Sequence, residues 1–316
     1  HIQDEDSQKA EEPVENKSAS FEEPVLNIRD LFLVISVPLI WGLGFTFAKA
    51  GITEFPPLLL MGMRFCIVAF ALVWFVPCPR EHLRYIFWVA LISSTLQYGL
   101  TFTGLSMIDA SLAVIVVHLE VPFGVLLAVI ILRERPGLQR IIGMLLSFSG
   151  IVLIAGQPSL EGQMFAIFLT GSGALVWAIG QLMVKRLGTA VGSFSLVAWV
   201  GVFSGPQMIL ASYLIEDGQW LAIQQASWVG WGTVAYLGIV MTALGYGIWY
   251  RVLSRNPMSQ VMPVLLLLPV VTIVSSILLL GERPAPAVLT GGAVVLTGVA
   301  IIVFTRDNVQ SKQNIG

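Results

Sequence analysis

Charge is what this sequence has least of. Only 11% of its 316 residues are Asp, Glu, Lys or Arg, against about 25% in a soluble domain. A chain so poor in charge cannot cover a water-facing surface, which excludes an ordinary soluble fold. Cysteine is nearly absent too. Cys66 and Cys78 lie in or at the end of one apolar stretch, so no disulfide framework or thiolate metal cluster is available, and both read as small apolar residues. The three histidines, His1, His82 and His118, stand far apart in the chain. A membrane enzyme acting on lipid would need a nucleophile, a base and a metal cluster at one membrane face, and no such set is present. There is no phosphate-cradling glycine loop ending in Lys and Ser or Thr, so direct use of ATP is not expected. No basic stripe suits nucleic acid, and no cofactor or metal is indicated.

What is present is apolar surface, 56% of the residues. The acidic residues are unevenly placed. Eight of the 19 fall in the first 24 positions, from Asp4 to Glu23. This leader, taken as residues 1–29, has no apolar period and reads as a disordered cytosolic tail. It lacks the basic segment and short apolar core of a cleavable signal. From residue 31 onward, apolar runs of about 20 residues, the length of a transmembrane helix, follow one another. Their cores are 31–49, 57–77, 85–105, 110–132, 138–156, 163–184, 193–215, 228–250, 258–280 and 285–305. The breaks carry proline, glycine or charge, as at Pro56-Pro57, Asp109 and Glu216-Asp217. Connections this short make neighbouring spans antiparallel. The expected fold is therefore all-α and integral to the membrane, with ten transmembrane helices.

Orientation follows from the 17 Lys and Arg residues. With the N-terminus in the cytoplasm, 14 of them fall in cytoplasmic segments, among them Arg80, Arg84, Arg133, Arg135, Lys185 and Arg255. Only Arg283 lies in a loop on the other side, while Lys49 and Arg64 lie in or near spans. The bias places both termini in the cytoplasm.

Arg283 is an exception with a cause. The string Leu132-Arg133-Glu134-Arg135-Pro136 returns 148 residues later as Leu280-Gly281-Glu282-Arg283-Pro284. Gly143 and Gly150 follow Glu134 at the same offsets as Gly291 and Gly298 follow Glu282. Earlier, Trp41-Gly42-Leu43-Gly44 with Lys49 recurs as Trp177-Ala178-Ile179-Gly180 with Lys185. Each unit, 30–157 and 158–305, holds five spans, and an odd number turns the second copy upside down in the membrane. A C-terminal tail, 306–316, follows. Two inverted units can exchange conformations, turning an inward-open cavity outward, with the cargo site near the midplane between them.

The paired Trp-x-x-Gly segments, the Pro56-Pro57 to Arg64-Phe65 run and the two Glu-Arg-Pro hairpins resemble the EamA family of the drug/metabolite transporter superfamily. Gly245-Tyr246-Gly247-Ile248-Trp249 and Leu268-Pro269-Val270-Val271 carry the same likeness, which covers about residues 30–305. The resemblance implies ten helices, an inner (plasma) membrane location and export of amino acids or related metabolites.

Ionisable groups at membrane depth mark functional sites by default. Arg64 falls roughly 12 Å into the second span and Glu120 roughly 16 Å into the fourth, at 1.5 Å per residue. Glu120 reads either as a proton carrier that loads and releases during the cycle or as a structural ion pair with Arg64. His118 has a titration range suited to coupling, or is a hydrogen-bonded interior residue. It lies two residues before Glu120, about 200° around a helix, so the two cannot face one direction. Arg64 could hold a substrate carboxylate with its forked donors or fix helix packing. Pro122 is expected to free the carbonyl of His118. Pro263 and Pro269 break the ninth span in the matching region, and kinks in matching helices suit gating or lining of a cavity.

The aromatics Trp41, Phe45, Tyr98, Trp177, Tyr246 and Trp249, with Gln97 and Gln181, are candidates for the cavity wall, offering stacking surface and amide hydrogen bonds to an amphipathic solute. Trp220, Trp228 and Trp231 read as interface anchors, and the repeated glycines as points of close helix contact. The Glu-Arg-Pro hairpins read as structural ends, with a gate at Glu134 or Glu282 as the alternative. Together these features point to a secondary exporter of amino acids or similar metabolites, possible as a monomer, with protons as a candidate coupling partner. The alternatives are other cargo (drug cation, polyamine, nucleobase or sugar) or a sensor or scaffold without flux.

Overall fold

The computed structural model describes residues 28–131, 137–155, 157, 162–187, 190–253 and 262–304. Among the described residues all regular structure is helical. The first half holds α1 (Ile28–Ile52), α2 (Pro57–Leu72), α3 (Leu83–Ala90), α4 (Gln97–Met107), α5 (Ala110–Val117), α6 (Glu120–Ile131) and α7 (Leu138–Ala155). The second holds α8 (Met164–Leu187), α9 (Ser193–Ile215), α10 (Gln219–Gln225), α11 (Trp228–Ala235), α12 (Gly245–Leu253), α13 (Leu267–Leu280) and α14 (Pro286–Phe304).

Eight helical stretches are long and apolar enough to cross a bilayer, and two shorter apolar ones, Leu138–Ile154 and Val264–Leu280, accompany them. Large apolar side chains also cover the outside. Phe70 and Trp74 are each 74% exposed, Phe75 84% and Leu278 76%. In water such a surface would drive aggregation, whereas hydrocarbon solvates it and demands that every backbone group be paired internally, as it is in helices.

Two spans are not regular. Between α3 and α4 the backbone widens into a π-helix, Leu91–Leu96, and between α11 and α12 into a second, Tyr236–Leu244. The fourth span breaks at His118-Leu119, between α5 and α6. Pro122 does not cause this by orphaning the His118 carbonyl, as the sequence predicts. That carbonyl accepts from the Val121 amide at 3.2 Å, a tightened turn that keeps it paired. Pro122 instead sits in the first turn of α6, where a missing N–H costs nothing. Pro269 has the same place in α13, behind the 3₁₀ turn Met262–Leu266 that contains Pro263. The side chain of Pro263 and all of Glu134 lie outside the described residues.

Glycine seams hold the halves together. α7 packs on α14, and α2 on α9. A Cβ on Gly143 would stand 2.7 Å from the Gly298 carbonyl oxygen, and one on Gly150 would stand 2.8 Å from that of Gly291. Only glycine permits this approach, and van der Waals packing replaces the hydrophobic effect between helices in lipid.

One end of the bundle is tied by carboxylates. Pro57 opens α2 with its φ already helical, and the free amides of Leu58 and Leu59 donate to Glu216, at the end of α9, at 2.8 and 3.2 Å. The amides of Ala110 and Ser111, at the start of α5, donate to Glu282 at 2.7 and 3.2 Å, and the Ser111 hydroxyl adds a third bond at 2.7 Å. Glu54, after α1, accepts from the Ser227 amide and hydroxyl, both at 2.7 Å, at the start of α11. Helix N-termini carry unpaired N–H groups and positive potential, so carboxylates suit them. The reverse pairing also occurs. Lys49 donates to the carbonyls of Leu105 and Ile108, at 2.8 and 2.7 Å, where α4 ends. Beside it, burial pushes the Asp109 carboxyl above its ordinary range, Glu282 adding to the rise and Lys49 opposing it.

Candidate functional site

At the middle of the bundle, residues of α2, α4 and the second π segment meet around Arg64. Its side chain is fully buried. Nε donates to the Thr242 hydroxyl at 2.6 Å, one terminal nitrogen to the Tyr98 hydroxyl at 3.3 Å and the other, weakly, to the Met61 sulfur at 3.7 Å. The guanidinium also lies over the rings of Tyr98 and Phe65, at 4.6 and 5.4 Å. All these partners are neutral. Glu120 is not among them, so the structural ion pair between Arg64 and Glu120 does not form. The Glu120 carboxylate, at the first residue of α6, has no hydrogen-bond or ion-pair partner among the described residues. His118, two residues earlier, is buried, with Nδ1 2.8 Å from the Val114 carbonyl, and so takes the hydrogen-bonded interior place.

From Arg64 the polar chain continues outward. The Tyr98 hydroxyl lies 3.1 Å from that of Tyr246. These two tyrosines stand 148 residues apart, the interval that relates the Glu-Arg-Pro hairpins. The same interval separates Ser94 from Thr242, each within a π segment. π-Helical turns recur at functional sites because the extra residue per turn redirects side chains and loosens the ladder.

These residues line a small, half-open cavity. Phe65, Val89, Ser93, Ser94, Tyr98, Thr242 and Tyr246 form one part of the wall, and Trp177, Gln181, Val184, Leu196, Val197 and Val200 the rest. The last six come from the end of α8 and the start of α9. The cavity therefore occupies the half of the bundle toward the Pro77–Arg80 turn, away from the glutamate-tied end.

Of the residues the sequence proposed for the wall, Tyr98, Trp177, Gln181 and Tyr246 are in it. Arg64 stands behind it. Trp41 supports it, its ring 4.9 Å from Tyr246 and 5.8 Å from Trp249, its indole N–H donating to the Met241 carbonyl at 3.1 Å. Phe45 stacks on Phe102 in the core. Gln97 donates to Thr101 at 3.1 Å, and its buried carbonyl oxygen has no partner among the described residues. Trp249 packs with Val37. His118 and Glu120 lie on the fourth span, outside the lining. Sequence reasoning missed Phe65, Ser93, Ser94, Val200 and Thr242. The 148-residue interval, carried into the third and eighth spans, would have marked Ser94 and Thr242.

Comparison with known proteins agrees with this architecture. The model of the EamA-like transporter family matches residues 29–156 and again 164–304. The chain is 32% identical over 286 residues to the probable amino-acid metabolite efflux pump of Escherichia coli, covering 87% of this chain and 95% of that protein. An uncharacterized transporter of Bacillus subtilis is 28% identical over 306 residues, covering 91% of this chain and 95% of that one. A crystal structure at 16% identity superposes with a TM-score of 0.62, over 90% of this chain and 99% of the other, and shares the fold.

Proposed function

Because the chain belongs to the EamA-like transporter family and its described helices are those of a multi-pass inner-membrane protein, we propose that it is a secondary active exporter of amino acids or related small metabolites working by alternating access. Transport is what the family and its named relatives have in common by name, and one of those relatives is named a probable amino-acid metabolite efflux pump. In the finer reading, ten spans form two inverted five-span repeats, 30–157 and 158–305, between tails 1–29 and 306–316, with both termini cytoplasmic. One chain then contains both halves, and a monomer suffices.

The observation that carries this reading is the cavity wall. It pairs Ser94 with Thr242 and Tyr98 with Tyr246, residues one repeat interval apart, and the two tyrosine hydroxyls meet. In two inverted halves the cargo site belongs at such a seam. The crossed glycine contacts support it, since Gly143 and Gly150 stand 148 residues before Gly291 and Gly298, and each touches the other's counterpart.

The cavity offers hydroxyls, the Gln181 amide and the Trp177 ring to an amphipathic solute. Arg64 behind it, buried with no counter-ion among the described residues, favours a carboxylate on that solute. Glu120, without a partner among the described residues at the helix break, is the proton-coupling candidate. A second reading, export of a cationic cargo, rests on that same carboxylate.

The test is counterflow in liposomes with a radiolabelled amino-acid panel, with and without a pH gradient. Saturable exchange that becomes pH-insensitive in Glu120→Gln supports both transport and coupling. Exchange unchanged in Glu120→Gln would remove the coupling role. No exchange with any amino acid, but exchange of a cation, would favour the second reading.

A further inference from the structure

The glutamate ties all join one half of the chain to the other. Glu54 belongs to the first half and binds Ser227 of the second. Glu216 and Glu282 belong to the second half and bind Leu58, Leu59, Ala110 and Ser111 of the first. All three cross between halves, and all lie at the end of the bundle that the proposed topology places outside. At the opposite end, the described side-chain hydrogen bonds between halves are neutral. The Ser195 hydroxyl donates to the Pro77 carbonyl at 2.7 Å and the Tyr85 hydroxyl to that of Met183 at 2.9 Å. The cavity is displaced toward this second, more weakly tied end.

We infer that Glu54, Glu216 and Glu282 are positioning residues of the transport cycle, a three-point clasp that holds the outer end of the pathway shut while the cavity faces inward. The inference rests on the alternating-access reading above. Each carboxylate satisfies amides that open a helix of the other half. Parting the halves at this end therefore strips six hydrogen bonds from the Glu282, Glu216 and Glu54 carboxylates. It also loses the Ser111 hydroxyl bond. Charge-assisted bonds to aligned amides are stronger than neutral ones, so this end opens last and needs a compensating event in the cavity. Glu282 is the best buttressed of the three, because Ser111 also lies 2.8 Å from the Ser276 hydroxyl of α13.

Side-specific thiol labelling tests this. With Cys66 and Cys78 replaced, Ser94→Cys places one thiol in the cavity wall, and a small membrane-impermeant methanethiosulfonate is added to either side of sealed vesicles. With the clasp intact, labelling proceeds from the inner side and is slow from the outer side. Glu282→Gln should raise the outer rate about tenfold, the factor that one charge-assisted hydrogen bond is worth. Glu216→Gln and Glu54→Gln should act in the same direction. Ser111→Ala, a milder change that removes the hydroxyl's bonds to Glu282 and Ser276 but keeps the amide bonds, should give a smaller rise, and guards against loss of fold in the glutamate variants. Glu81→Gln, exposed at the other end, should change nothing. An outer rate unmoved by all four clasp variants, with inner labelling intact, would overturn the clasp alone. A thiol unreactive from both sides in every background would overturn the cavity as pathway and the clasp with it.

Discussion

Replacing Gly298 by alanine puts a number on the seam between α7 and α14. The new Cβ would stand 2.5 Å from the Gly143 carbonyl oxygen and 2.6 Å from the Ser147 amide, and closer still to the Ser147 hydroxyl. Ordinary contact begins near 3.4 Å, so the helices must part by about 0.9 Å. The carbonyl and amide are backbone and cannot turn aside. The Ser147 hydroxyl can, but it donates to Gly143 at 3.0 Å and to Val295 at 3.3 Å. Overpacking of this kind costs about 1–3 kcal/mol, and a displaced hydrogen bond about 0.5–1.5 kcal/mol more. Alanine's better helix propensity returns about 1 kcal/mol. The net loss is about 0.5–3.5 kcal/mol, roughly 2–10 °C in melting temperature for a chain of this size. Thermal unfolding in detergent, followed by tryptophan fluorescence, measures it. Gly232→Ala is the control, because a Cβ there meets nothing within 4 Å. It should hold or slightly raise the melting temperature. A Gly298→Ala protein that melts at or above the parent would refute close packing at this seam.

Tyr98→Phe removes the hydroxyl that accepts from Arg64 and meets Tyr246; it should cost about 1–3 kcal/mol and weaken cargo exchange, and an unchanged melting temperature and exchange rate would exclude the network. Asp109 should give a pH signature. Its carboxyl is held above the ordinary range by burial first and Glu282 second, with Lys49 opposing. Its stabilising contribution is thus complete below the unfolded pKa of about 3.9 and is lost as pH rises through the folded value. Asp109→Asn should flatten that part of the stability profile, and a profile identical to the parent's would count against it. Cys78 is exposed and Cys66 half-buried; an impermeant maleimide should label Cys78 from the cytoplasmic side only, and labelling from outside would reverse the proposed topology. Gly218 has φ of 78°, a left-handed conformation that costs other residues about 1–2 kcal/mol, so Gly218→Ala should lower the melting temperature measurably.

Hydropathy and breaker residues made the spans legible, because lipid imposes a length and forbids unpaired backbone. Local irregularity was less legible. Pro122 and Pro269 are conspicuous in the sequence, yet each occupies a first helical turn where proline is harmless, and the break falls earlier, at His118-Leu119. The π segments carry no compositional mark, since their widened register is set by what packs against them. Within the site, Tyr98, Trp177 and Tyr246 were found by their bulk and polarity, while Phe65 was not. Ser93, Ser94 and Thr242 were not, because small hydroxyl residues in a membrane helix usually bond their own backbone, as the Ser93 hydroxyl does to the Val89 carbonyl at 2.7 Å. Glu216 was visible only as a loop charge, and its partners, the amides that open α2, come from a helix 158 residues away in the chain.

Arg64 has no twin. The interval of 136 residues that carries Trp41 to Trp177 carries Arg64 to Val200, which faces the same cavity as an apolar wall. Interchangeable halves would give the protein no resting preference, since inward and outward forms would be two-fold-related copies of equal energy. A fixed positive charge on one side of the seam breaks that degeneracy. In the proposed cycle that charge responds to the membrane voltage with one sign, and a carboxylate on the cargo would meet it on one flank only. In the proposed arrangement, then, the resting preference between inward and outward forms is written in the residues that the two halves do not share, while the gradients set the direction of flow.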